Sequence, residues 1–123
     1  MGLRTINYNV PDLEQAKRWY SDVFRRTPYF DEPFYVGYDV GGYELGLHPA
    51  DEEHPVGAGG CLAYWGVADL AATMSWLQER GIVVHAAPQD VGGGIKVASV
   101  KDPFGNIVGF IENPHFTLPD TPA

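Results

Sequence analysis

Cysteine is almost missing from this chain of 123 residues: Cys61 stands alone, which excludes an intramolecular disulfide, a thiolate cluster and a zinc finger. Basic residues are scarce as well, with eight Lys and Arg against sixteen Asp and Glu, for a formal charge of −8. Such a balance repels a phosphate backbone, so nucleic acid is not an expected partner. No apolar stretch approaches the roughly 18 residues of a membrane span. The opening MGLRTINYNV lacks the charged-then-apolar layout of a signal peptide, and Ile6 stands where a myristoylation site after Met1-Gly2 wants Ser or Thr. A cytoplasmic protein without a membrane partner is the expectation. What is present is a core-forming composition, 45% hydrophobic and 13% aromatic, in a chain the size of one ordinary domain.

The chain contains a repeat. TINYNVPDLEQAKRWY, from Thr5, overlies LAYWGVADLAATMSWL, from Leu62, without a gap. Val10 meets Val67, Asp12 meets Asp69, Leu13 meets Leu70 and Trp19 meets Trp76. Identity is sparse, but both copies carry an alternating strand, an acidic cap and an amphipathic helix. In the first, Ile6, Tyr8 and Val10 alternate with polar residues. Asp12 then takes the N-cap position, and Gln15 could complete a capping box. Leu13, Ala16, Trp19, Tyr20, Val23 and Phe24 recur at helical spacing, and Thr27-Pro28 is expected to stop the helix. In the second, Asp69 caps, Leu70, Thr73, Met74 and Leu77 face inward, and Gly81 ends the helix after Arg80. Trp19 and Trp76 are expected in the core.

Strand-like segments follow each helix, at about 28–31, 34–40 and 43–48, then at 83–88, 95–100 and 106–112. Each half therefore reads βαβββ. Gly41-Gly42 and Asp102-Pro103-Phe104-Gly105 carry turn chemistry. Gly92-Gly93-Gly94 has no following Lys-Ser/Thr and fails the phosphate-loop pattern, leaving a hairpin loop. The expected fold is α+β, one domain over 1–123 with modules at about 3–50 and 60–113. A proline-containing tail, 114–123, is expected to be extended.

VPDLEQAKRWYSDVF early and KDPFGNIVGFIENP late, set on two βαβββ units, resemble the vicinal-oxygen-chelate superfamily, the glyoxalase, bleomycin-resistance and extradiol-dioxygenase group. The resemblance implies curved mixed sheets enclosing a cavity, homodimerisation and, in the family's enzymes, a divalent metal on four strand residues. Carried over one at a time, those positions are Thr5 and Leu62, each seven residues before its capping Asp, and Gly46 and Gly109, where the family usually has Glu. None is a good ligand. Glu44 and His48 share a strand face with Gly46 but lie about 13 Å apart along a regular strand, too far to share an ion that needs ligands at about 2 Å. Glu112, three residues after Gly109, falls on the opposite face. His54, His85 and His115 show no ligand spacing and read as surface histidines. No metal or other cofactor is expected.

Two glycines in place of carboxylates imply a roomier, less anionic pocket. Its expected walls are Thr5, Asn7, Asn9, Glu44, Gly46, His48, Leu62, Tyr64, Ile107 and Gly109, with Phe34, Tyr35, Tyr38 and Trp65 as further stacking surface. The expected function is binding or sequestering a small aromatic or drug-like molecule. The alternatives are a metal-independent lyase or isomerase using Glu44 or His48 as acid or base, a metalloenzyme with unconventional ligands, and a dimerising module whose interior is filled by side chains.

Overall fold

The structure is a computed structural model, and it describes residues 3–59, 62–115 and 118. The readings that fall on Met1-Gly2, on Cys61 and on most of the tail lie outside those residues. The chain divides at Gly57/Ala58 into two units.

The first unit runs β1 (Thr5–Val10), α1 (Leu13–Phe24), β2 (Phe30–Glu32), β3 (Tyr35–Val40) and β4 (Tyr43–Pro49). Its sheet order is β1-β4-β3-β2, with β1 parallel to β4 and the other pairs antiparallel. The second unit repeats the plan with β5 (Tyr64–Gly66), α2 (Leu70–Glu79), β6 (Val83–Gly92), β7 (Ile95–Lys101) and β8 (Ile107–Glu112), in the order β5-β8-β7-β6. In each unit the first and last strands are neighbours and parallel. The expected α+β class and βαβββ repeat are what the chain adopts.

Local chemistry accounts for the helices. Asp12 accepts from the Gln15 amide at 3.0 Å and Asp69 from the Ala72 amide at 3.0 Å, satisfying amides that have no partner within the helix. Glu112 adds a second cap, its Oε1 accepting from the Leu70 amide at 2.9 Å, so the last strand of the second unit holds the start of α2. Gly81 takes the left-handed conformation after α2, with φ 78°. Helix α1 ends earlier than Thr27-Pro28 suggests, because Arg25 itself turns left-handed at φ 53° and bonds back to the Ser21 carbonyl.

The cores lie between each sheet and its helix. Tyr8, Val10, Val36, Tyr38, Leu45 and Leu47 from the first sheet meet Ala16, Tyr20, Val23 and Phe24 of α1. Tyr20 lies 5.4 Å from Tyr8 and is stacked at 6.0 Å on Phe24, centroid to centroid. In the second unit Val67, Leu70, Met74 and Leu77 meet Ala98, Val100, Val108 and Phe110. Three expectations change. Trp19 and Trp76 are half-buried rather than core, and Arg80 lies over the Trp76 ring at 4.8 Å. Tyr38 is in the core, its hydroxyl 2.8 Å from Ser21 Oγ and donating to the Lys17 carbonyl at 3.1 Å, and so adds nothing to the open face. Strand β6 continues to Gly92 rather than stopping near 88, because register shifts let it pass Pro88 without breaking the pairing with β7. Among the described residues no helix is long and apolar enough to cross a membrane.

Candidate functional site

Strand alternation gives each sheet a second face, turned away from its helix. On the first sheet that face carries Thr5, Asn7 and Asn9 of β1. They stand opposite Glu44, Gly46 and His48 of β4, and Gly37 and Asp39 of β3 pair with Gly46 and Glu44. Five of the first unit's expected site residues, with Gly46, are therefore side by side.

Glu44 is the centre of a hydroxyl cluster. Thr5 donates to its Oε1 at 2.9 Å and Tyr29 donates to its Oε2. Tyr35 donates to Asn7 Oδ1 at 3.2 Å. Burial, then the negative charge of Glu44, then Tyr29 and a hydrogen bond with Glu44 push the Tyr35 phenol up to about 12. The Tyr29 phenol is also raised, first by its hydrogen bond to Glu44. Both phenols are consequently neutral donors at neutral pH. Because the folded state favours protonated Tyr35, its contribution to stability is complete below the ordinary tyrosine pKa near 10 and lost as pH climbs through about 12. Ultraviolet titration of the seven tyrosines should show a late ionisation near pH 12, and Glu44→Gln should bring it earlier, since two of its causes are Glu44.

The glycines behave differently from the sequence expectation of added room. A Cβ on Gly46 would overlap the Tyr35 hydroxyl and Asn7 Oδ1, and would lie 2.7 Å from Tyr35 Cζ. One on Gly109 would lie 2.6 Å from Tyr64 Cδ1 and 2.7 Å from the Ala63 carbonyl oxygen. The space beside each glycine is thus occupied, by Asn7 and Tyr35 in one unit and by Tyr64 in the other. Asn7 and Tyr64 are equivalent residues of the repeat, and each pairs with its glycine across a parallel ladder.

These positions do not fit a metal. Leu62, Gly46 and Gly109 offer no side-chain donor, and the Thr5 hydroxyl is committed to Glu44. Among the described residues no group of three or more His, Cys, Asp and Glu side chains is placed to hold an ion.

In the second unit Tyr64 and Gly109 lie side by side, whereas Leu62 precedes β5, exposed, rather than sitting in it. Ile107 pairs with Lys101 at the start of β8, two residues before Gly109 and on the same face of the strand. Trp65 pairs with Phe110 and so has the helix-side parity, not that of Tyr64.

One group escaped the sequence reading, and another was named there only in part, as Phe34 and Tyr35. The first is His54, taken as an ordinary surface histidine. The Asp51 side chain accepts from the Glu53 and His54 amides at 2.9 and 2.8 Å and lies 2.9 Å from His54 Nδ1. That turn, with Asn9 donating to the Pro55 carbonyl at 3.3 Å, folds the loop back and sets the His54 ring 4.8 Å from His48. His48 Nδ1 is buried without a hydrogen-bond partner. His54 in turn holds the Asp51 carboxyl below its usual range. The Asp-x-x-His spacing of an Asx turn was the available signal. The second is an aromatic group at the β2–β3 hairpin: Phe30 lies 6.4 Å from Tyr29, 5.9 Å from Phe34 and 6.0 Å from Tyr35. Tyr29 and Phe34 are each 64% exposed.

Comparison with known proteins places this architecture. A profile of the Glyoxalase/Bleomycin resistance protein/Dioxygenase superfamily matches residues 2–110. Among solved structures, a superfamily member from Sphaerobacter thermophilus superposes with a TM-score of 0.78 at 19% identity, over 92% of this chain and 98% of that one. TnmS3, an antibiotic binding protein from Streptomyces sp. CB03234, gives 0.77 at 24%, over 91% and 95%. A lactoylglutathione lyase from Agrobacterium tumefaciens gives 0.73 at 21%, over 94% and 97%. A search of curated protein sequences finds no significant match. By its profile, its repeat and its paired βαβββ sheets, the chain belongs to the Glyoxalase/Bleomycin resistance protein/Dioxygenase superfamily.

Proposed function

We propose that the protein binds a small organic molecule with an aromatic ring on the open face of its first sheet, without a metal ion. The observation that carries this reading is the exposed ring group of Tyr29, Phe30, Phe34 and Tyr35 standing beside a hydrogen-bonded carboxylate. Exposed rings in a cluster are costly to leave in water, and flat ligands recover that cost by covering them. TnmS3 offers a precedent for ligand capture on the same fold. We take the protein to act in the cytoplasm as a homodimer.

Differential scanning fluorimetry against a panel of polycyclic aromatic compounds tests the reading. A ligand at a hundred times its Kd stabilises the fold by about 2.7 kcal/mol, a rise of several degrees in Tm. A panel with no upward shift would remove the reading.

A second reading is metal-free acid or base chemistry at His48, favoured by its buried Nδ1 without a partner. Glu44 is less suited to a proton-accepting role, because both its oxygens already accept hydroxyl protons. Mass spectrometry of a stabilising compound after incubation separates the two: binding returns it unchanged, whereas catalysis yields a product whose formation His48→Ala abolishes.

A further inference from the structure

We propose that the occupant of this face carries an amine or ammonium cation, seated against Glu44 and bordered by the Tyr29, Phe30 and Phe34 rings. This deepens the binding function proposed above and rests on it.

The aromatic group has the geometry of a partial box. Phe30 is inclined at 56° to Tyr29, 73° to Phe34 and 61° to Tyr35, so no pair is stacked face to face. Rings set as walls attract a cation through their negative faces, most strongly when the cation sheds water. Glu44 supplies the charge. Its donors Thr5 and Tyr29 are neutral hydroxyls, which orient the carboxylate without cancelling it.

Of the two basic side chains nearby, Lys17 has carboxylate partners, and Arg4 is held at the β3–β4 turn by a neutral carbonyl. Arg4 donates to the Gly42 carbonyl, and Lys17 joins Glu14 at 3.2 Å and Asp31 at 3.1 Å. Asp39, opposite Glu44 in the ladder, adds a second carboxylate at that end of the face. An anionic ligand would meet these carboxylates unpaired, and a neutral one would leave the charge of Glu44 covered but unmatched. A cation matches it, and the chain's overall charge of −8 draws it in.

Fluorescence titration with 9-aminoacridine, cationic at neutral pH, and with acridine, neutral there and of the same ring shape, tests the assignment. The cation should bind the wild-type protein at least about tenfold more tightly, the scale of one hydrogen bond to a charged group such as Glu44. Glu44→Gln should erase most of that preference by weakening the cation far more than acridine, and Glu52→Gln, on an exposed loop, should leave the preference intact. Equal affinities in the wild type, a preference that survives Glu44→Gln, or an equal loss with Glu52→Gln would each overturn the cation assignment while aromatic binding stands. Failure of both dyes to bind overturns the assignment and the binding function together. If Glu44→Gln does not fold, competition in the wild type decides. Tetramethylammonium chloride must displace 9-aminoacridine more effectively than sodium chloride at equal ionic strength, and equal displacement overturns the assignment.

Discussion

Gly109→Ala is expected to lower the free energy of unfolding by about 3 kcal/mol, the upper part of the range for forcing extra volume into a packed site. The added carbon would lie 2.6 Å from the Tyr64 ring and 2.7 Å from the Ala63 carbonyl oxygen. The ring can swing outward, since Tyr64 is exposed on its other side. The carbonyl cannot, because it accepts the Gly109 amide at 3.0 Å and is part of the β5–β8 connection. Urea denaturation should show the loss as a lower midpoint with an unchanged slope. Gly59→Ala is the control: its added carbon meets nothing within 4 Å, and a change within about 0.5 kcal/mol is expected. Tyr64→Ala combined with Gly109→Ala should regain only part of the loss, as the backbone obstacle persists. An undiminished midpoint for Gly109→Ala would mean that the position is as open as the sequence alone suggests. Closure here bears on what the position can hold: placing any larger side chain at 109 needs a second change at Tyr64 or in the Ala63 backbone.

Asp102→Ala should cost a comparable 3 kcal/mol, about what three charge-assisted bonds contribute after their donors are left without an acceptor. Asp102 is 5% exposed and accepts from the Phe104 amide at 2.9 Å, the Asn106 amide at 2.8 Å and Asn106 Nδ2 at 2.8 Å. It ties the β7–β8 turn that places Gly109 in register with Ser99 and Tyr64. Asp102→Asn keeps one acceptor oxygen and should lose roughly half as much, for want of charge and of a second acceptor. Thermal unfolding followed by circular dichroism separates the two variants. Equal, small losses would mean that the turn holds without its carboxylate.

The fold was legible because its determinants are local. Asp12 and Asp69 begin helices, the apolar spacing of Leu13 to Phe24 and Leu70 to Leu77 faces them inward, and the shared offset of the repeat exposes the duplicated plan. The site was legible as far as strand parity reaches: Thr5, Asn7, Asn9, Glu44, Gly46 and His48 do share one face. Parity fails where rings cross from a neighbouring strand. Nothing in the residues around Gly46 announces that Tyr35, two strand positions from its partner Gly37, leans over it, or that Tyr29 reaches Glu44. The Trp19 and Trp76 readings failed because periodicity marks a direction, not a depth. His54 was missed because its placement depends on a loop, held by Asp51 and by Asn9 from a strand more than forty residues earlier.

The parallel pairing of first strand with last also sets an order of events. The Thr5–Glu44 bond joins residues 39 apart, and the Leu70–Glu112 cap joins residues 42 apart. Closing such loops costs entropy before any contact rewards it. A chain emerging from the ribosome can form its helices early, yet β1 and β5 wait for β4 and β8 to be made. The face that carries Thr5, Asn7, Glu44 and Gly46 is assembled in that last step, so any fault in the closing strands disrupts it before it removes helical structure.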